Sequence, residues 1–326
     1  QTSSGKTYTM YGTKEKPGIT PRAIDEIYHI LAQMESFCEI KVSCHMVELY
    51  CDTLIDLLVN KENKKPQQNL EIKEDLRGMV YIQNVTIKQA QTKDDLSKLI
   101  KTGMMNRKTS GTSMNDASSR SHLIVNVNIE IFNKHTNQRT IGKLSLVDLA
   151  GSERASKANP TAKQLTEAKA INKSLAELSN VISALSSQAL GEKDKFVPYR
   201  NNKLTMLMKD CLGGTAKTLM FVNVSPADTN LEETQSSLYY ATRAKLVVNE
   251  TVKNIETKEF SRMKEYLKVL SEERDLYKQI LTQNGIPLTR RQLGSLDNSP
   301  SKVDLEDSQF DEGPLYQLPS NDSIKL

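Results

Sequence analysis

Leu144-Ser145-Leu146-Val147-Asp148-Leu149-Ala150-Gly151-Ser152-Glu153 is the stretch on which the fold turns. An apolar, strand-like run ends in a carboxylate, and a buried strand end is a costly place for a charge unless a cation or several donors meet it. Gly151, without a Cβ, lets a backbone N–H come close to a ligand. The stretch therefore reads as a core strand of a layered domain that delivers Asp148 and Gly151 to a polar site at its end.

At the start of the chain, Gln1-Thr2-Ser3-Ser4-Gly5-Lys6-Thr7 matches the end of a P-loop, G-x-x-x-x-G-K-S/T, with only the first glycine outside it. Such a loop wraps phosphates with backbone N–H groups, places Lys6 against the β and γ oxygens and offers the Thr7 hydroxyl to Mg²⁺. Asp148 then stands where a P-loop enzyme puts the acid that holds Mg²⁺ through water, and the Gly151 N–H faces the γ-phosphate. A third polar cluster is Asn115-Asp116-Ala117-Ser118-Ser119-Arg120-Ser121-His122. With no aliphatic side chain larger than Ala it cannot be core. It is either a capped turn or a loop whose hydroxyls and Arg120 face a nucleotide. Three polar clusters converging on one nucleotide explain the sequence better than three coincidences.

Around these motifs, apolar runs suited to buried strands alternate with amphipathic stretches suited to helices up to about residue 249, the pattern of an α/β domain. Helices are predicted over 20–34, 93–106, 164–185, 203–210 and 231–248. Strands are predicted over 39–50, 70–74, 79–87, 123–132, 142–149 and 218–224, the last one buried. Residues 60–69 read as an exposed loop and Arg77-Gly78 as a turn. The chain has 326 residues, enough for one large domain or two ordinary ones. Lys plus Arg number 44 against 40 Asp plus Glu, a net charge of +4, so bulk charge does not mark a nucleic-acid binder and any basic surface is local. No run approaches ~18 apolar residues, so neither a membrane span nor a secretory signal is expected, and the chain reads as intracellular. Cys38, Cys44, Cys51 and Cys211 show no metal-binding spacing and read as free thiols, while His29, His45 and His135 share no ligand spacing. His122, inside the third cluster, is placed to support that loop.

The order QTSSGKT, NDASSRSH, DLAGSE resembles the P-loop, switch I and switch II of kinesin motor domains. Further stretches agree: His45-Met46-Val47-Glu48-Leu49-Tyr50, Ile171-Asn172-Lys173-Ser174-Leu175 and Val197-Pro198-Tyr199-Arg200-Asn201-Asn202-Lys203-Leu204-Thr205. The resemblance covers about residues 1–250 and implies a P-loop NTPase fold of three α-β-α layers around a central mixed sheet, with the first strands expected ahead of Gln1. It implies ATP and Mg²⁺ at a site contacted by Gln1, Thr2, Ser3, Ser4, Gly5, Lys6, Thr7 and Tyr8. Thr7 and Ser119 would ligate the metal and Asp148 would hold it through water. Ser118 would position the lytic water, Gly151 would sense the γ-phosphate, and Arg120 and Glu153 would form the salt bridge that closes the site, with Glu153 assisting proton transfer. Such chemistry needs alignment and charge neutralisation more than covalent catalysis.

The resemblance also implies a microtubule-stimulated ATPase that moves along microtubules in the cytoplasm, spindle microtubules included, with a catalytically weak microtubule tether as the alternative. Lys157, Lys163, Lys169, Lys173, Lys193, Lys195, Arg200 and Lys203 are the candidate contacts to acidic tubulin. The segment after residue 240 looks closest to C-terminal-motor kinesins of minus-end type, with the kinesin-like calmodulin-binding proteins the nearest subgroup. Residues 1–250 would form the motor, 251–284 a neck-like segment and helix, and 285–326 a disordered tail. Phe260, Met263, Leu267, Leu270, Arg274, Tyr277 and Leu281 follow the 3,4 spacing of a short coiled coil, interrupted by Arg274. Calmodulin or a related calcium sensor enters as a partner through the subgroup alone, because 258–283 mixes six basic with five acidic residues.

Overall fold

The computed structural model describes residues 1–59, 69–75, 77–110, 119–153, 162–192, 194–249, 255–256 and 258–283. Its contacts divide the chain into two units, Gln1–Phe260 and Ser261–Leu326. The first unit runs α1 (Lys6–Tyr11), α2 (Ile19–Ala32), β1 (Cys38–Tyr50), β2 (Thr53–Asp56), β3 (Glu71–Glu74), β4 (Val80–Gln83), β5 (Lys88–Gln89), α3 (Lys93–Ser110), β6 (His122–Asn133) and β7 (Gln138–Asp148). It continues with α4 (Ala162–Ala189), α5 (Lys203–Leu207), α6 (Lys209–Leu212), α7 (Leu231–Ala244) and β8 (Ile255–Glu256). The described residues of the second unit lie in one helix, α8 (Lys258–Gln283). The predicted tail, 285–326, lies outside the described residues. Among the described residues no helix is long and apolar enough to cross a membrane.

The main sheet has the order β2-β1-β6-β7-β8, with β5 also paired to β1, while β3 and β4 form a separate hairpin. Where a mixed sheet was expected, every described pair is antiparallel. Tight connections set two of these pairs. Cys51 and Asp52 both take positive φ, 46° and 62°, which matches the twist of a two-residue hairpin turn and folds β2 straight back on β1. A short connection through Asn137 (φ 53°) does the same between β6 and β7.

Strand alternation sorts the side chains onto two faces. On one, Val42, Cys44, Met46, Leu123, Val125, Val127 and Leu146 pack with Ile24 and Leu31 of α2 and Leu96 and Ile100 of α3. The helix–sheet approach is so close that a Cβ on Gly103 of α3 would lie 2.1 Å from the Met46 sulfur. On the other face Val47, Leu49 and Ile124 pack with Leu178 and Ile182 of α4 and Leu204 and Leu207 of α5. Each fully buried large apolar side chain contributes roughly 1.5–3 kcal/mol relative to exposure, so the two clusters hold the three layers together.

Two predictions change. Residues 218–224 form no strand, and Leu219, Met220, Phe221 and Val224 are exposed. Apolar composition alone does not make a strand; hydrogen bonds to a neighbour do, and no described segment pairs with this one. The helix predicted over 203–210 breaks at Met208 into α5 and α6, where φ −97° and ψ 6° leave the helical region. Asn202 starts α5 as a side-chain cap on the Leu204 N–H.

Candidate functional site

β7 ends at Asp148, and α1 begins at Lys6, so two ends meet. The loop before α1 reaches its turn through Ser3 at φ 61° and Gly5 at φ 101°, the left-handed region that glycine enters without strain. A Cβ on Gly5 would meet only the Asn223 side chain at 3.8 Å, so Gly5 is required by backbone angle rather than by space. Inside the loop Lys6 Nζ and Ser4 Oγ both donate to the Gln1 carbonyl at 2.7 Å. Burial is the largest influence on Lys6 and lowers its pKa, while Glu153 and Asp148 pull the other way. Tyr8 is exposed on α1.

Three contacts tie the distant motifs together. Thr7 Oγ1 donates to Asp148 Oδ2 at 2.7 Å. The Thr2 N–H donates to Glu153 Oε2 at 2.8 Å and the Thr2 hydroxyl to Glu153 Oε1. The Gly151 N–H donates to the Ser119 carbonyl at 2.8 Å. A Cβ on Gly151 would lie 2.4 Å from Thr2 Oγ1 and from Glu153 Oε2, so a larger residue there would push the Thr2–Glu153 pair aside. Lys6, Thr7, Ser119, Asp148, Gly151 and Glu153 are thus gathered at one end of the sheet. Ser118, with 115–117, lies outside the described residues.

Asp148 is 3% exposed, and its Oδ1 has no hydrogen-bond partner. The charge nearest it is Arg107 of α3, whose Nη1 lies 3.8 Å from Oδ2. Arg107, itself buried, also reaches Glu48 of β1 at 3.3 Å and the Ser121 carbonyl and hydroxyl at 3.0 and 3.1 Å. A buried carboxylate pair around one guanidinium holds its charges only because every partner is close. Sequence reasoning missed Arg107 and Glu48. The available signal was Glu48 itself, a charge between Val47 and Leu49 in a strand buried on both faces.

In the described arrangement Arg120 pairs with Glu167 and not with the expected partner Glu153. Arg120 Nη1 donates to Glu167 Oε2 of α4 at 3.0 Å, and Tyr50 donates to the other Glu167 oxygen at 2.7 Å. Glu167 is buried and needs a cation and a donor, which Arg120 and Tyr50 supply. Glu153 stays with Thr2 on the loop side. Burial pushes the Glu153 carboxyl up, but the hydrogen bonds from Thr2 and from its own backbone, with the nearby N-terminal charge, together outweigh it and the net shift is downward, towards the charged form.

Of the candidate filament contacts, Lys169 and Lys173 are exposed on α4 one turn apart, and Lys195 and Arg200 are exposed on the loop and short helical turn (Tyr199–Asn201) before α5. Asn201 donates to Glu177 of α4 at 3.0 Å, which ties that turn to the helix. Lys203 is half-buried. Lys157 and Lys193, and the side chain of Lys163, lie outside the description.

Chemically, the site can cradle a polyphosphate with the loop N–H groups and Lys6, and offers hydroxyl and carboxylate oxygens suited to a hard divalent cation. The unpartnered Asp148 oxygen and the close approach of Thr2 and Glu153 to the side-chain-free Gly151 fit that use. A family model described as "Kinesin motor domain" matches residues 1–247. In sequence the chain is 49% identical over 267 residues to Kinesin-like protein KIN-14I of Oryza sativa subsp. japonica, covering 82% of this chain and 21% of that protein. It is 50% identical over 264 residues to Kinesin-like protein KIN-14E of Arabidopsis thaliana, covering 81% and 20%. The chain thus spans about a fifth of the length of these curated relatives. Among solved structures, a KIF14 dimer in a two-heads-bound state with AMP-PNP, in complex with a microtubule, matches at TM-score 0.71 and 40% identity over 78% of this chain and 71% of that one. The C-terminal motor and motor homology domain of Kar3Vik1, fused to a synthetic heterodimeric coiled coil, matches at TM-score 0.65 and 35% identity over 75% and 61%.

Proposed function

The chain belongs to the kinesin motor family, and we propose that it hydrolyses MgATP and couples the turnover to movement along microtubules, toward the minus end. One observation carries the reading: Thr7 on the first motif meets Asp148 on the third at 2.7 Å, while Thr2 meets Glu153 and Ser119 meets Gly151 alongside. Stretches 141 residues apart share one site, as a sensor of a terminal phosphate requires.

In this reading Thr7 and Ser119 would hold the magnesium that accompanies ATP, with Asp148 behind them, and a bound ion would supply charge neutralisation to the phosphates. Lys6 adds a positive charge that burial keeps poorly screened. Ser118 orients the attacking water and Glu153, charged, accepts proton density through a second water. The Gly151 N–H bonds either Ser119 or the γ-phosphate, and that choice is the switch. Arg120 has two carboxylates to choose between, Glu167 in the described arrangement and Glu153 on closure of the site. Exposed Lys169, Lys173, Lys195 and Arg200, flanking α4, face the acidic filament. The KIN-14 relatives support the minus-end assignment; microtubules of the cytoplasm and spindle as the location, and calmodulin as a regulator, are parts of the same proposal that rest on the family resemblance alone.

ATP turnover measured with and without microtubules, beside cosedimentation, tests the function. Stimulated turnover together with binding supports it. Binding without stimulation leaves a tether instead, and turnover with no filament binding removes the motor.

A further inference from the structure

α4 is fastened to the rest of the domain at several levels. At its start Glu167 holds Arg120 and Tyr50. Further along, Ser179 and Ser183 hold the Arg243 guanidinium, and Ser186 donates to the Arg243 carbonyl of α7. Between them is a different kind of link. The Ala150 N–H donates to His122 Nδ1 at 3.1 Å; His122 Nε2 lies 2.8 Å from Ser174 Oγ of α4; and that hydroxyl donates to the Ile171 carbonyl at 2.7 Å.

The geometry fixes the tautomer. Nδ1 accepts from a backbone N–H, so the ring proton is on Nε2 and is donated to Ser174, whose own proton is committed to Ile171. His122 is 2% exposed; burial, then Arg107, lower its pKa to about 4, so the ring stays neutral at physiological pH. A small cleft bordered by His122, Arg120, Ile171 and Ser174 lies beside it, and across that junction the His122–Ser174 hydrogen bond is a direct link from the strand end to the helix.

The two ends of this chain of bonds are not equivalent. Ala150 and Gly151 are consecutive, and their N–H groups go to His122 and Ser119 respectively. Any movement that swings the Gly151 N–H away from Ser119 turns the peptide next to the one that His122 grips.

We propose that His122 is a positioning residue that transmits the state of the Ala150–Gly151 backbone to α4 through Ser174, so that ATP turnover and filament binding are coupled through one neutral imidazole. This rests on the motor reading above. It assigns no chemistry to His122, which touches no reacting atom.

The test compares the wild-type chain with Ser174→Ala, Ser174→Thr, His122→Asn and the Ser174→Ala/His122→Asn double variant, by ATP turnover against microtubule concentration. Asn keeps an acceptor near the Nδ1 position and removes the Nε2 donor, so it breaks the same link without emptying the site. Ser174→Ala is expected to leave basal turnover and the half-saturating microtubule concentration as they are and to lower the stimulated maximum about tenfold. His122→Asn is expected to lower the stimulated-to-basal ratio to the same extent, the double variant no further, and Ser174→Thr to restore it. A generic loss of stability would instead lower basal and stimulated rates together in every variant, Thr included. That outcome, wild-type ratios in the single variants, or losses that multiply in the double variant overturns the proposal. Absence of stimulation in the wild type overturns the motor reading itself, and the coupling role falls with it.

Discussion

The two faces of the central sheet bury their polar groups differently: one around a single guanidinium, the other largely through neutral hydrogen bonds. On the face toward α3, Asp148 and Glu48 are buried as charges around Arg107. On the face toward α4, neutral groups are buried as well, His122 with Ser174 near the site and His45, Asn126 and Ser145 in a row across three strands, beside the ion pairs Arg120–Glu167 and Lys143–Asp210. The register puts His45 opposite Asn126 and Asn126 opposite Ser145, so each bond runs to a direct cross-strand neighbour. Charges next to a phosphate site supply field, and neutral hydrogen bonds next to a moving helix supply direction.

Four experiments sharpen or break this contrast. The largest effect is expected from Glu48→Ala, which leaves Arg107 with one carboxylate and a cavity; unfolding in urea should show a loss of about 3–5 kcal/mol. A loss below ~1 kcal/mol would mean that the charged face is not held by that pair. Asp148→Asn, nearly isosteric, should cut ATP turnover by about 100-fold or more while the protein stays folded, since it removes charge from where the metal is read. Wild-type turnover would remove Asp148 from the mechanism.

Third, the neutral face should respond to acid. Burial is the main cause that lowers His45 and His122 to about 4 from an ordinary 6.5. Both rings are neutral in the folded and unfolded states above that ordinary value. Below it the unfolded state takes up protons that the folded state refuses, so stability is full above pH 6.5 and drains as pH falls toward 4. About 1 kcal/mol per ring should be lost by pH 5.5, and His45→Gln should remove one ring's share; a urea midpoint flat across this window contradicts the assignment. Smallest is the Arg120–Glu167 coupling: a double-mutant cycle on unfolding should give up to about 1 kcal/mol, against none for Arg120 with Glu153.

The parts of the site that are contiguous in the chain were legible. Gln1–Thr7 and Asp148–Glu153 each carry their chemistry in a few consecutive residues, so the loop, the strand end and the glycine at Gly151 could be placed without coordinates. The supporting charges could not. Arg107 pairs with Glu48 across 59 positions, and each looks ordinary in its own segment. Arg120 could be seen to need a carboxylate, but which one depends on where α4 lies, and Glu167 wins. For the fold, the periodicity of β1, β6 and α4 was clear, whereas the hairpin at Cys51-Asp52 has neither Gly nor Asn to announce it. Residues 218–224 show the converse error: strand-like composition where the described fold supplies no neighbour.

Magnesium dependence of nucleotide affinity reads the central contact most directly. Fluorescent ATP-analogue binding should be titrated with Mg²⁺ for the wild type, Thr7→Val, Asp148→Asn and the double variant. Because Thr7 and Asp148 meet at 2.7 Å over one site, both single variants should lose most of the magnesium response and the double variant no more. An intact response in either single variant, or two losses that simply add, would contradict a shared site.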